Sequence, residues 1–479
     1  MTKFTKSLLR LILPLVSLGF FLIASIVVLI ISQGRTINED GSFVQTGIIR
    51  INSIPSEDLK AYINESEVTY SEFRITNITP GIVTLKLTKE GYTPWEKQVR
   101  VESGIVKDVY AQLYPNTIPF TKVSNVNVSK TFYSLDGQYI YYVVNNDSTL
   151  DGIWRIKLTR NLLDFSNSQQ ITQIVKFTTE QKLELKESDY NIQSSIDNNK
   201  FILNVGTNYY LYNISDTANR VNLNTLFGFT PANVKWFRDS QSIIFTQENK
   251  YAFEYDLITK EISLVDYNNT TLSNYAVSAN NVYFIKDNKL MLYTNKSSAE
   301  YKFGDKIKAL LPTKISSVFT SSENPNVLIL DSEGTLLYID VQKEFIDVID
   351  TNATFYKALS NGRLISYFKN DELHSFYVED KFTDNLLDTS NFNLALRHDA
   401  FTNMEFASTG RNLILFSKNK ITLMDYDGLN VNTILTDFTF IEDKVLFANN
   451  STEMYSLIQE KDETGATVNN IYKFELKLK

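Results

Sequence analysis

The chain has 479 residues and a mass of 55.0 kDa, of which 43% are hydrophobic and 21% charged, too long for one ordinary core and too apolar for wholesale disorder. It has no cysteine and only two histidines, His374 and His398, which removes disulfides, thiol catalysis and Cys-based metal sites and leaves multi-histidine chemistry without ligands. A net charge of -8 and a pI near 5.2 lack the basic footprint of a nucleic-acid binder. The 31 Phe and 27 Tyr favour strands over helices, so the expected class is mainly β.

Residues 8–32 are expected to form a transmembrane helix. An uninterrupted apolar stretch of about 21 residues follows Arg10, enough to cross a hydrocarbon core of ~30 Å. Its length and the absence of an A-x-A-like site at its end argue against a cleaved signal peptide. Lys3, Lys6 and Arg10 precede it, whereas Arg35, Glu39 and Asp40 follow. This flank predicts a cytoplasmic N-terminus, residues 1–7, and an extracytoplasmic body held at the plasma membrane. Residues 33–45 read as a polar linker.

Residues 46–115 carry short runs of alternating apolar and polar residues. Ile48-Ile49-Arg50-Ile51-Asn52-Ser53 stops at Pro55, and Ile82-Val83-Thr84-Leu85-Lys86-Leu87 stops at Gly91. Ala61-Tyr62-Ile63, Phe73-Arg74-Ile75, Val99-Arg100-Val101 and a last run from Val106 to Leu113 complete a set that predicts a small β-sandwich. The order Ile51-Asn52-Ser53-Ile54-Pro55, Pro80-Gly81 and Lys89-Glu90-Gly91-Tyr92-Thr93-Pro94-Trp95 resembles the PEGA domain family. The resemblance implies a non-catalytic β-module of surface and envelope proteins. One departure is the stretch Pro55-Ser56-Glu57-Asp58-Leu59-Lys60-Ala61, which implies a longer, glycine-free turn than the family's Pro-x-Gly-Ala. Gly91-Tyr92 and Trp95 are expected to be a turn and packed aromatics.

From residue 116 to 479 a unit recurs. Its clearest copy is Thr131-Phe132-Tyr133-Ser134-Leu135-Asp136-Gly137-Gln138-Tyr139-Ile140-Tyr141-Tyr142-Val143-Val144, followed by Gly152-Ile153-Trp154-Arg155-Ile156. The Ser-x-Asp-Gly turn joins an inner strand to a buried one. Worn copies occur at Val234 to Phe245 and at Met404 to Phe416. Second-strand anchors at Ile140, Ile202, Ile243, Val282, Leu328, Leu364, Leu413 and Tyr455 give about eight units at a spacing of roughly 40–45 residues, the pattern of a β-propeller. Eight blades are favoured, with seven as the alternative. The last unit offers three strands, so a spare strand in Ile118-Pro119-Phe120-Thr121-Lys122-Val123 is expected to complete it and close the ring. The Ser134 to Gly137 turn resembles the TolB-type propeller repeat, which implies architecture and no partner. A Lys/Glu-rich segment, 176–189, is read as a loop or short helix between blades.

No motif for chemistry stands out. There is no phosphate loop, dinucleotide fingerprint or Gly-x-Ser-x-Gly elbow. His398-Asp399 is read as a surface or turn cluster, and His374 as a strand residue. Asp136, Asp239 and Asp331 fall in turns, where Asp bonds its own backbone. Asp147 to Gly152 falls short of a calcium loop. Sequons at Asn77, Asn127 and Asn269 are potential acceptors only. The expectation is therefore no catalytic residue, metal or cofactor, and a ligand-binding residue set that the sequence does not reveal. The leading reading is a membrane-anchored bacterial envelope scaffold that binds an envelope protein or glycan and no nucleic acid. The alternative is an enzyme acting on envelope polysaccharide or peptide through two carboxylates at the propeller mouth.

Overall fold

A computed structural model describes residues 16, 18–22, 24–25, 35–37, 43–134, 136–146, 148–158, 170–248, 251–266, 275–278, 280–286, 289–301, 317–320, 327–332, 334–359, 362, 364–370, 372–377, 391–397, 401–407, 410–417, 419–442, 444–448 and 452–477. Most of the expected span, 8–32, lies outside them. Residues 16, 18–22, 24 and 25 are helical, and among the described residues no helix is long and apolar enough to cross a membrane. Inside the expected linker, Arg35–Ile37 pairs antiparallel with Phe43–Gln45.

The first compact unit lies within Met1–Asn116. It has a three-stranded sheet, with Gly47–Ile54 between Arg74–Ile78 and Val106–Gln112. A four-stranded sheet runs in the order Ser66–Val68, Lys60–Ile63, Gly81–Thr88 and Trp95–Val101. Alternation decides the faces. In Trp95–Val101 every second residue is buried, so Trp95, Val99 and Val101 join Ile49, Ile51, Leu85 and Val109 in the core. The glycine-free turn after Pro55 solves its geometry with Asp58, which takes φ 54° where glycine would be expected. Lys89 donates to the Glu57 carbonyl at 2.8 Å and lies 3.7 Å from the Asp58 carboxylate, tying that turn to the Gly91 turn.

The second unit spans Thr117–Glu379 and Ser390–Lys479. Among its described residues, seven four-stranded antiparallel sheets follow one another along the chain, each in simple up-and-down order. They are here sheets 1 to 7. Their first strands are Lys130–Tyr133, Tyr190–Ser194, Ala232–Phe237, Tyr275–Ser278, Ser317–Thr320, Ala353–Ala358 and Asn403–Phe406. An eighth sheet joins Leu446–Ala448 and Thr439–Phe440 to Glu453–Lys461 and Thr467–Glu475, with Phe120–Lys122 as its outermost strand.

From sheet 1 to sheet 7, each sheet packs an apolar face on the next. Phe132, Tyr141 and Ile153 of sheet 1 share a core with Phe201, Leu203 and Tyr212 of sheet 2. Corresponding cores join sheets 2 and 3, 3 and 4, 4 and 5, 5 and 6, and 6 and 7. A further core joins the ends of the unit: Tyr455, Leu457 and Ile471 pack on Val128, Ile140, Tyr142 and Ile156. A sequential array of four-stranded sheets whose last member packs on its first is a β-propeller.

The closing contact is dense. Val123 and Val128 donate backbone bonds of 2.8 Å to Ile471 and Asn469, and Glu475 donates one of 2.9 Å to Pro119. The Ser124 hydroxyl accepts from the Ile471 amide at 2.8 Å, and the Asn127 side chain accepts from the Asn469 amide at 2.9 Å. Lys122 reaches Glu460 at 2.5 Å, while Asn470 donates to the same carboxylate at 2.7 Å and Tyr472 bonds its other oxygen.

The turns explain the repetition. In sheet 1 Ser134 donates to Asp136 at 2.6 Å, Asp136 accepts from the Gln138 amide, Ser134 Oγ accepts from the Tyr139 amide, and Gly137 takes φ 67°. Sheet 2 repeats this with Ser195, Asp197 and Lys200, and Asn198 at φ 53° stands where glycine did. In the worn turns of sheets 6 and 7 the corresponding backbone bond recurs: Gly362 donates to Leu359 at 2.7 Å and Gly410 to Ala407 at 2.8 Å. A second recurrence ends the third strands. Asp256 accepts from the Ile258 and Thr259 amides, and Asp340 from the Gln342 and Lys343 amides. The segment between sheets 1 and 2 holds a helix, α1 (Thr179–Glu187), with a Thr178/Gln181 capping box. A shorter one, α2 (Leu223–Phe227), follows sheet 2.

Two predictions follow from these turns and this closure. Gly410 has φ 69°, and an added Cβ would lie 2.6 Å from the Leu359 side chain. Gly410→Ala should therefore cost about 1–3 kcal/mol in urea unfolding, whereas Gly137→Asn, at a position with open space, should cost a few tenths at most. Lys122, then Tyr472, hold Glu460 below the usual carboxylate range. A depressed folded pKa contributes stability that is complete above the unfolded value of about 4.3 and is lost as pH falls through the folded one. Glu460→Gln should be less stable than the parent at neutral pH, with the gap closing below about pH 4, read as melting temperature against pH.

Candidate functional site

The first strands of the sheets line the axis of the ring. A cavity of about 790 Å³ opens there between sheets 1 to 5, with Tyr133, Gln193, Lys235, Ala276, Val277 and Phe319 among its walls. It extends along sheets 2 and 3, from Asn191, Asn204, Tyr209 and Asn233 at one end to Ile196, Asp239 and Ser240 at the other. The lining is mainly amide, hydroxyl and aromatic, and Asp239 is the one carboxylate among the described lining residues.

Sheet 3 shapes this cavity through its backbone. The pairing of Ala232–Phe237 with Ser242–Gln247 shifts register between Ala232 and Lys235, and Asn233 inside that bulge has φ 50°. At the other end Arg238, Asp239 and Ser240 have φ 50°, 50° and 67° in succession. Non-glycine residues there cost about 1 kcal/mol or more each. Cross-links hold them. Ser240 Oγ accepts from the Ile196 amide of sheet 2 at 2.8 Å, and Trp236 Nε1 donates to the Gln193 carbonyl at 3.0 Å. The Arg238 guanidinium lies 3.3 Å from Glu254, a carboxylate 1% exposed, whose other oxygen accepts from Tyr293 at 2.5 Å.

The cations of the axis differ in their partners. Lys357 of sheet 6 meets Glu405 of sheet 7 at 2.8 Å. Lys444 lies 3.3 Å from Glu442 and donates to the Thr131 carbonyl, while Glu442 accepts from the Thr131 amide at 3.1 Å and from its hydroxyl. Burial pushes the Lys444 ammonium down, and Glu442 opposes this. Burial, then Glu442 and Glu405, push the Tyr133 hydroxyl up and keep it protonated. Lys235 of sheet 3 donates to the Tyr275 carbonyl at 2.7 Å and sits 4.6 Å from the Tyr275 ring centre. Burial lowers its pKa, and no carboxylate among the described residues pairs with it.

The residues singled out in sequence fall mostly elsewhere. His374 stacks on its register partner Tyr367, rings 5.5 Å apart, and burial lowers its pKa. His398, Asp399, Asp147 and Asn269 lie outside the described residues, as does the side chain of Asp331. Asp136 serves its turn and also accepts from Asn198 of the next sheet at 2.7 Å. Asp151 is taken up by the Asn146 and Ser148 amides and by Lys182 at 2.8 Å, which hold it below the usual range against the effect of burial. Asn127 is part of ring closure. Among the described residues no three His, Asp or Glu side chains converge on a cation-sized point. Sequence reasoning missed Asn191, Gln193, Asn233 and Lys235. A polar residue at alternate positions of a first strand was the available signal, and the same alternation marks any half-buried strand.

Comparison with known proteins adds the following. Residues 46–117 match the PEGA domain family. No curated protein matches the chain in sequence. The structure is similar to the C-terminal WD40 domain of Sif2, with 10% identity and a TM-score of 0.44, over 74% of this chain and 98% of that one. It is similar to the WD40 domain of SCAP from fission yeast, with 10% identity and a TM-score of 0.44, over 75% and 98%. It is also similar to the tricorn protease, with 12% identity and a TM-score of 0.35, over 82% and 42%.

The Arg238 to Glu254 pair generates a prediction. Glu254→Ala leaves a half-buried guanidinium and the Tyr293 hydroxyl without their carboxylate, and should destabilise the second unit by about 3 kcal/mol in urea unfolding. Glu254→Gln keeps an acceptor for Tyr293 and should cost less.

Proposed function

We propose that this chain is a non-catalytic, membrane-anchored bacterial envelope protein. In this reading residues 8–32 anchor it in the plasma membrane with the N-terminus cytoplasmic, and the body stands on the extracytoplasmic side. The PEGA domain is a spacer, and an eight-bladed, TolB-like ring closed by its N-terminal strand binds an envelope protein or glycan. The observation that carries the binding role is the axial cavity: about 790 Å³ in volume and lined by polar, aromatic and aliphatic residues, in the size range of ligand pockets, held by strained and cross-linked backbone. Rigid scaffolds with such pockets are suited to recognition. The apolar run of residues 11–31 and its basic N-terminal flank support the anchor.

The enzymatic alternative finds less support. Acid–base cleavage of a glycoside needs two carboxylates about 5–9.5 Å apart, and the described cavity lining offers Asp239 alone.

The test uses the full chain in a bacterial cell, with a C-terminal reporter enzyme that is active only after export. Reporter activity in the membrane fraction is expected, together with cross-linking of the body to an envelope component. Asn191→Trp, which fills one end of the cavity, should abolish that cross-link and leave export intact. An inactive reporter would refute the topology, and cross-linking unaffected by Asn191→Trp would refute the axial site.

A further inference from the structure

The lining of the axial cavity carries charged side chains at Lys235, Arg238 and Asp239. Its walls present the Lys235 ammonium without a carboxylate partner among the described residues, next to a Tyr275 carbonyl and ring that stabilise a cation only in part. The other described cations of the axis have acidic partners: Lys357 has Glu405, Lys444 has Glu442, and Arg238 has Glu254. Lys130 is the exception: like Lys235 it donates to a tyrosine carbonyl, Tyr190 at 2.9 Å, beside the Tyr190 and Phe132 rings, but it is not among the residues that line the cavity. The side-chain amides of Asn191 and Gln193 face the same cavity and have no hydrogen-bond partner among the described residues. Burial weakens the charged form of Lys235, so a negative ligand there would restore it.

We propose that the axial cavity is a carboxylate-binding site, in which Lys235 and the amides of Asn191 and Gln193 seat the anionic group of a small organic ligand. The proposal rests on the axial binding reading above and names its ligand chemistry. One ammonium without a carboxylate partner among the described residues balances one negative charge, which favours a carboxylate over a phosphate dianion. Asp239 at the far end opposes a second anionic group. Tyr133, Tyr209 and Phe319 supply ring surface for the body of the ligand. A peptide C-terminus and an acidic sugar both present this chemistry.

The test is calorimetric titration of the full chain in detergent micelles with four probes: N-acetylglycylglycine, its C-terminal amide, glucuronate and glucose. At least one carboxylate probe should bind at least about tenfold more tightly than its neutral counterpart. Lys235→Gln should remove that preference, and Lys235→Arg should retain part of it. Binding by the peptide acid alone assigns the ligand to a peptide C-terminus, and by glucuronate alone to an acidic sugar. Equal binding of acid and neutral probes, lost in Asn191→Trp, would overturn the carboxylate and leave axial binding standing. A preference that persists in Lys235→Gln, or no binding of either acid at millimolar concentration, would overturn the proposal. The cross-linking test above would then decide axial binding on its own.

Discussion

The second unit depends on one antiparallel strand pair, Phe120–Lys122 against Thr467–Glu475. Sheets 1 to 7 each share a core with their neighbour, so an open array would leave an apolar face of sheet 1 bare. Pairing the first strand with the last sheet brings Tyr455, Leu457 and Ile471 onto Val128, Ile140 and Tyr142 and covers that face. It also covers the edge of Thr467–Glu475, which would otherwise offer unpaired backbone groups to another chain. The polar reinforcement is concentrated there: Ser124, Asn127, Lys122 and Glu460 each bond across the junction or brace it. No cysteine is needed to clamp the ring, because the closure is made by backbone ladder and core burial.

Closure also creates the axis. Once the first strands are fixed around a ring, their inward side chains must either fill the centre or solvate it. Lys357 of sheet 6 pairs with Glu405 of sheet 7, and Glu442 and Lys444 of sheet 8 bond to Thr131 of sheet 1, whereas sheets 1 to 5 line a cavity. Sheet 3 is the point of greatest strain on that wall, with four left-handed non-glycine residues in one strand and turn. The strain coincides with the residues that line the cavity, as is common where backbone geometry serves recognition.

The architecture was largely legible in the sequence, and the reason is physical. Strand alternation and turn residues are local, so Ile140, Ile243 and Leu413 could be placed in second strands from period and punctuation alone, and the spare strand followed from counting. The small sandwich was legible for the same reason, with Trp95 buried where the turn at Gly91 predicted. What escaped was chemistry that arises only across sheets. The Ser195 to Asn198 turn hides its likeness to Ser134 to Gly137 because asparagine replaces glycine, although every hydrogen bond is kept. The acidic partner of Lys357 lies on the next sheet, at Glu405, whereas Lys444 has Glu442 two residues away, and nothing in the sequence reveals that Lys235 has no carboxylate partner among the described residues. Site residues on first strands look like ordinary half-buried strand positions until the ring brings them together.

The most direct test of the account is a cross-link at the closing pair. Thr121 and Lys473 are register partners, and the chain has no cysteine of its own. In the Thr121→Cys, Lys473→Cys double variant, partner positions of an antiparallel pair fall within the Cα separation a disulfide requires. Mild oxidation followed by non-reducing electrophoresis and peptide mapping should find one intramolecular disulfide in nearly all molecules, with an unchanged circular dichroism spectrum and a raised melting temperature. Free thiols after oxidation, or disulfides formed only between molecules, would contradict closure of the ring by its N-terminal strand.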